Sequence, residues 1–250
     1  VVSNLKFVIK CIHSFCLTIN MRVFEKHMKN INYAIFIPAR YNSSRFPGKP
    51  LVKIRGVEML MRVFKECNKA APDKTFVLSD SKKIYDFCEK KDIPYFKTSS
   101  KCKTGTDRII EISKKIKLDF FINVQGDEPL IRAIDIISFI KKSIRFNDFI
   151  CIGKSSINLE NYKNRNVPKI VTNKKNELLY ISRASIPSRK DKYPLKKFGQ
   201  VNLYSYPIKF LQRKMYNIKT KLEKEEDIEI LRFLEHGLKI KVLTINSNNH

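Results

Sequence analysis

An apolar run that stops at a stiff, cationic loop constrains this chain more than any other feature: Ile35-Phe-Ile-Pro-Ala-Arg-Tyr-Asn-Ser-Ser-Arg-Phe-Pro-Gly-Lys-Pro-Leu51. Ala34 to Ile37, bounded by Pro38, reads as a buried strand, and Pro47, Gly48 and Pro50 forbid a helix directly after it. The loop carries Arg40, Arg45 and Lys49. Arginine grips phosphate oxygens through its planar fork and lysine adds a compact charge, so three cations on a stiffened loop suit a triphosphate. The loop is not of the Walker type, which needs glycine at 43 and Ser or Thr at 50, where this chain has Ser43 and Pro50.

Beyond the loop, apolar residues fall first at helical and then at strand spacing. Val57–Ala70 predicts an amphipathic helix, with Met59, Leu60, Val63, Phe64 and Cys67 on its apolar side. Thr75–Leu78, Pro94–Lys97 and the run from Phe120 read as strands, separated by helices over Ile84–Lys91 and from Thr104 onward. Ile131–Arg145 predicts a further helix, and from Asp148 to Val171 short strands alternate with polar turns. Strands alternating with helices imply an α/β fold, a doubly wound and mostly parallel sheet, in which ligands gather beyond the carboxyl ends of the strands. Leu222–Leu234 predicts one amphipathic helix with Ile228, Leu231 and Leu234 on one stripe.

Two strand-end segments carry chemistry. In Thr104-Gly-Thr-Asp-Arg108 a threonine can cap the following helix, while Gly105 lets backbone approach a ligand closely. Phe120-Phe-Ile-Asn-Val-Gln-Gly-Asp-Glu-Pro129 is an apolar strand ending in two adjacent acids at a Gly and Pro turn. Mg²⁺ takes hard oxygen ligands, commonly one or two carboxylates plus substrate phosphates, and Asp127 is the first candidate. Glu128 reads equally as a solvated turn residue.

Four segments in order resemble the sugar-acid cytidylyltransferases of the 3-deoxy-manno-octulosonate (Kdo) type. They are the loop from Pro38 to Leu51, Thr104–Arg108, Asn123–Pro129 and Ser182-Arg-Ala-Ser-Ile-Pro187. The resemblance runs from Tyr33 to the end and implies a nucleotide-diphospho-sugar transferase fold, with 31–145 mainly binding CTP and 146–250 mainly binding the sugar acid. The implied reaction transfers CMP from CTP to the anomeric hydroxyl of a 3-deoxy sugar acid, for lipopolysaccharide or surface-glycan synthesis. Kdo is the expected acceptor, with 8-amino-Kdo or a nonulosonate as the alternative. By position, Arg40, Ser43, Arg45, Lys49, Thr104, Gly105, Thr106, Arg108 and Gln125 would bind nucleotide. Arg40, Lys49 and Asp127 would be catalytic, and Asp127 would hold Mg²⁺. Arg183, Gln200, Tyr204 and Glu229 would bind the sugar acid, Arg183 by its carboxylate.

The resemblance also implies a cytoplasmic homodimer joined through the sugar-acid half. Two positions depart from the family: Gln200 stands where histidine is usual and Ile230 where glutamine is usual, which implies altered specificity in one pocket. The family continues into an Asp-Thr-x-Glu-Asp-like segment whose first aspartate is a second metal ligand. No such segment precedes His250, so the expectation is a chain truncated at its carboxyl end, impaired in turnover or binding nucleotide without it.

Composition narrows the remaining classes. The 250 residues, 43% of them apolar, suffice for one substantial core. A net charge of +26 raises a nucleic-acid partner as a distant alternative. The cations, however, are spread along the chain with no basic helix or zinc-finger spacing, as on a solvated lysine-rich surface. Cys11, Cys16, Cys67, Cys88, Cys102 and Cys151 show no CxxC, and His13, His27, His236 and His250 form no ligand-spaced cluster, so free thiols and no transition-metal site are expected. Lys6, Lys10 and His13 interrupt the apolar pieces of the first 20 residues, which excludes a membrane span there. Residues 1–30 are expected to be a leader, disordered or misassigned, with Met21 or Met28 as an alternative start.

Overall fold

The computed structural model describes residues 31–42, 46–213, 216 and 218–246. The expectations for the leader, Ser43, Arg45, Cys11, Cys16, His13, His27 and His250 lie outside these residues. The chain enters the sheet at β1 (Tyr33–Pro38) and then makes a small hairpin, β2 (Lys53–Ile54) with β3 (Val57–Glu58). Helix α1 (Met59–Ala70), β4 (Thr75–Ser79), α2 (Lys82–Lys90), β5 (Tyr95–Lys97), α3 (Gly105–Ser113) and β6 (Phe120–Val124) follow in alternation. Then come α4 (Ala133–Ser143), β7 (Ile150–Ser156), α5 (Leu159–Lys163), β8 (Lys169–Thr172) and β9 (Leu178–Ser182). The long β10 (Phe198–Pro207), the short helices α6 (Ile208–Leu211), α7 (Lys221–Glu226) and α8 (Leu231–Glu235), and β11 (Ile240–Thr244) complete the described chain.

Among the described residues nine strands share one sheet, whose main path runs β11-β7-β10-β6-β1-β4-β5. β1 pairs in parallel with β4 and β6, and β4 with β5. Only β10 runs against this path, antiparallel to both β6 and β7. The sheet is therefore mostly parallel and doubly wound, as the alternating pattern predicts. Successive strands leave β1 in opposite directions, β4 to one side and β6 to the other, so the switch point lies between β1 and β6. Because β10 lies between β6 and β7, the segments expected to serve nucleotide and sugar contribute to the same sheet.

Both faces of the central strands are apolar, as parallel strands covered by helices require. Ile35, Phe36, Ile37, Phe121 and Ile122 are fully buried. Phe36 stacks on Phe121 at 5.4 Å between ring centres. Helix α1 reaches α4 through Glu66, whose carboxylate accepts the Ala133 amide at 2.9 Å. Among the described residues no helix is long and apolar enough to cross a membrane. Cys67, Cys88, Cys102 and Cys151 are free thiols.

Two expected elements differ. The helix predicted from Val57 starts at Met59, because Val57 and Glu58 pair with Lys53 and Ile54 across a turn in which Arg55 (φ 50°) and Gly56 (φ 79°) are both left-handed. Two consecutive left-handed residues match the right-handed twist of a tight hairpin. The single helix predicted over Leu222–Leu234 is two helices, α7 and α8, separated at Asp227, which sits at φ 50°. Aspartate tolerates that conformation better than most residues, and the bend turns Glu229 and Arg232 toward α3.

Candidate active site

The cleft lies at the switch point, where the carboxyl ends of β1 and β6 meet the amino end of α3. It is lined by Pro38, Ala39 and Arg40 after β1, by Gln125, Gly126 and Asp127 after β6, and by Lys49, Pro50, Gly105 and Glu229. The close approach of β1 and β6 depends on Gly126. A Cβ there would lie 2.8 Å from the Pro38 carbonyl oxygen, a backbone atom that cannot turn aside. Gly126→Ala is therefore expected to destabilise the fold by about 1–3 kcal/mol, read as a lower melting temperature.

Lys49 reaches the cleft because its loop is folded back on itself. The Gly48 amide donates to the Tyr41 carbonyl at 2.8 Å, and Gly48 turns at φ 76°, a conformation that favours glycine. Pro50 then starts a single turn of 3₁₀-helix over Lys49–Leu51. The Lys49 ammonium meets the Asp127 carboxylate at 2.7 Å, with both side chains partly open to solvent. Arg40 is exposed at the rim, where its guanidinium donates to the Lys103 carbonyl at 2.5 Å.

The opening turn of α3 is capped twice. Thr104 accepts the Asp107 amide at 3.1 Å while Asp107 accepts the Thr104 amide at 2.9 Å, a reciprocal capping box. The next two amides go to Glu229, from Gly105 at 3.1 Å and from Thr106 at 2.6 Å. The cap reading and the site reading of Thr104–Arg108 therefore coexist, since Gly105 also lines the cleft. Arg108 departs from its expected role. It is buried, its guanidinium pairs with Asp80 at 2.9 Å and donates to Thr98, and it ties α3 to the ends of β4 and β5.

The expected sugar residues divide. Glu229 lines the cleft. Arg183 does not: its guanidinium donates to the carbonyls of Glu226 at 2.7 Å, Asp227 at 3.1 Å and Arg165 at 3.2 Å, which commits the fork to the bend between α7 and α8. Gln200 and Tyr204 are buried within β10, with the Gln200 amide donating to the Tyr204 hydroxyl. Burial pushes the Tyr204 phenol well above its ordinary range, so it stays protonated and donates to Asn202 at 3.3 Å. Ile230 is fully buried in the apolar core and takes no place in the cleft.

Three residues escaped the sequence reading. Asn202 donates to the Glu128 carboxylate and accepts the Gln125 amide on its carbonyl at 3.4 Å. Burial pushes the Glu128 carboxyl above the ordinary carboxylate range, against the bond from Asn202, and neighbouring Asp127 adds to the rise. Arg232 and Glu223 are fully buried, joined by two bonds of 2.7 Å, and Arg232 also meets Asp107 of the capping box at 2.7 Å. A charged residue in a mixed helix ordinarily reads as solvent-facing, so only the fold could have found this pair.

Among the described residues no cluster of three or more acidic, histidine or cysteine side chains gathers as a ready metal cage. Asp127 is the acidic side chain of its turn that faces the cleft, beside the cations Lys49 and Arg40. One carboxylate completed by substrate oxygens and water is a set that suits a hard divalent cation.

Comparison with known proteins agrees with this arrangement. The cytidylyltransferase family profile matches residues 34–240. A 3-deoxy-manno-octulosonate cytidylyltransferase of Fusobacterium nucleatum is 36% identical over 83% of this chain and 86% of its own length. That of Psychromonas ingrahamii is 32% identical over 86% of this chain and 91% of its own. Among solved structures, CMP:2-keto-3-deoxy-manno-octonic acid synthetase complexed with CTP superposes with a TM-score of 0.79 at 28% identity, covering 86% of this chain and 90% of that one. With a profile match over residues 34–240 and kinship of this extent, the chain belongs to the cytidylyltransferase family, where it groups with the 3-deoxy-manno-octulosonate cytidylyltransferases.

Proposed function

We propose that this chain transfers CMP from CTP to the anomeric hydroxyl of a 3-deoxy sugar acid, Kdo before others, and releases pyrophosphate. The observation that carries the reading is the convergence of Arg40, Lys49 and Asp127 with the amino end of α3 on one cleft. The relatives' names and the CTP-bound neighbour support it. Arg40 and Lys49 bind the phosphate oxygens, Arg40 from the rim and Lys49 from beside Asp127, and Gly105 lets the nucleotide approach the backbone. Asp127 would hold Mg²⁺, which when bound offsets phosphate charge and favours the ionised form of the attacking hydroxyl.

The sugar oxygen forms a bond to the α-phosphorus as the bond to the β-phosphate's bridging oxygen breaks, and the hydroxyl proton passes to solvent. Little covalent work falls to the protein, whose residues position the reactants and neutralise charge. A homodimer through the sugar-acid half is part of the reading, supported by the exposed Leu179 and Leu195, and the free thiols suit the cytoplasm. The test is pyrophosphate release on mixing the protein with CTP, Mg²⁺ and Kdo. Release that requires all three is expected. Silence with Kdo and turnover with 8-amino-Kdo or a nonulosonate would move the acceptor, and silence with every sugar acid would sink the assignment.

A further inference from the structure

β10 carries an irregularity where it passes the cleft. Against β7, Val201 pairs with Gly153 but Tyr204 already pairs with Ile152, so two residues of β10, Asn202 and Leu203, span a single step of its neighbour. Against β6 the register is unbroken, from Leu203 opposite Val124 to Pro207 opposite Phe120. Bulges of this kind re-aim side chains beside functional sites. The residue that it frees is Asn202, and its carbonyl and both ends of its side chain are used locally. Its carbonyl accepts the Gln125 amide at 3.4 Å, its side-chain oxygen accepts the Tyr204 hydroxyl at 3.3 Å, and its side-chain amide donates to Glu128.

Two carboxylates stand side by side at the end of β6, yet only Asp127 lines the cleft. Glu128 is half-buried on the β10 side of the turn, where the Asn202 amide holds it. We infer that Asn202 is a positioning residue: by tethering Glu128 beneath the sheet edge, it leaves Asp127 as the single carboxylate that the turn presents to the cleft. The inference rests on the cytidylyltransferase reading of that cleft. Its consequence is specific. Without the tether Glu128 swings toward Asp127, and a divalent cation is held by both acids, more tightly and in the wrong place.

The variants Asn202→Ala, Asn202→Asp and the reciprocal swap Asn202→Asp with Glu128→Gln separate this role from mere packing. In Asn202→Asp two carboxylates face each other, whereas the swap restores one donor and one acceptor, now reversed. Two readouts are taken: Mn²⁺ retained by the protein with CTP, by electron paramagnetic resonance, and steady-state pyrophosphate release. Asn202→Asp is expected to retain Mn²⁺ about tenfold more tightly, because the repelled Glu128 carboxylate joins Asp127. Its kcat should fall about 100-fold from misplacement, with KM for CTP nearly unchanged. Asn202→Ala should move both quantities in the same directions by less, and the swap should reverse both.

Unchanged Mn²⁺ retention in a folded Asn202→Asp protein would overturn the inference, as would a folded swap variant that fails to reverse it. If the unaltered protein turns over no sugar acid but the Mn²⁺ pattern holds, the positioning role stands and the reaction assignment fails. If the unaltered protein retains no Mn²⁺ with CTP, both fail.

Discussion

Asp127→Asn is expected to lower turnover about 10³-fold while leaving the melting temperature close to that of the unaltered protein. The contrast follows from where the carboxylate sits. Its ion pair with Lys49 is 2.7 Å long, but the two side chains remain 37% and 48% exposed, so solvent screens the attraction and their pairing contributes less than about 1 kcal/mol to stability. The asparagine keeps the size of the aspartate and an oxygen for Lys49. What it loses is the negative charge that the turn after β6 presents beside Lys49 and Arg40, the group that would fix a divalent cation against the triphosphate. The measurement is kcat and KM for CTP beside a thermal melt. A loss of kcat with an unmoved melting temperature separates a group that acts on the reaction from one that holds the fold. Parallel falls in both would instead make Asp127 a structural anchor of the turn.

Much of this site was legible because its parts are local. The strand ending at Pro38 and the strand ending before Gln125 are short apolar runs closed by Gly and Pro, and such runs in an alternating chain lead to the carboxyl edge of a parallel sheet. Lys49 and Asp127 lie in the loops that follow those strands and Gly105 opens α3, and the fold brings the three to one cleft. Other features depend on partners distant in sequence. Arg183 has the right chemistry for a carboxylate, yet three carbonyls occupy its guanidinium. Arg108 looks like a site cation from its place in the motif, and the structure spends it on Asp80. Ile230 is adjacent to a cleft residue in sequence and points into the core, since consecutive residues of a tight bend face opposite ways. Asn202 owes its role to a bulge, and a bulge leaves no periodic signature in a strand of mixed composition. Periodicity made Leu222–Leu234 one helix because a repeat of apolar positions reports which residues are buried, not whether the backbone between them is continuous.

Arg232→Met tests the most distant of those contacts and is expected to produce the largest loss of stability. Arg232 and Asp107 are 125 residues apart in sequence and 2.7 Å apart in space. The guanidinium also grips both oxygens of Glu223 at 2.7 Å and donates to the Tyr216 carbonyl at 2.9 Å, with Arg232 fully buried and Glu223 1% exposed. Replacing such a cation leaves a buried carboxylate with no compensating charge, which costs about 3–5 kcal/mol. At about 2–4 °C per kcal/mol for a domain of this size, the melting temperature should fall by roughly 10 °C. Arg232→Lys keeps the charge but not the fork, so it should fall between the two. Neutralising the acid as well, as Arg232→Met with Glu223→Gln, should recover part of the loss, because the fully buried carboxylate at 223 is then no longer left without its cation and only the partly exposed Asp107 stays unpaired. The function should respond as well. Asp107 belongs to the cap of α3 and Glu229 holds the next two amides from the same bend. Loosening Arg232 therefore loosens the wall of the cleft at Gly105, and KM for CTP should rise in the variants that remain folded at the assay temperature. A melting temperature within about 2 °C of the unaltered protein, equivalent to less than about 1 kcal/mol, would mean that the buried network contributes little and that α7 and α8 are held against α3 by their apolar faces alone.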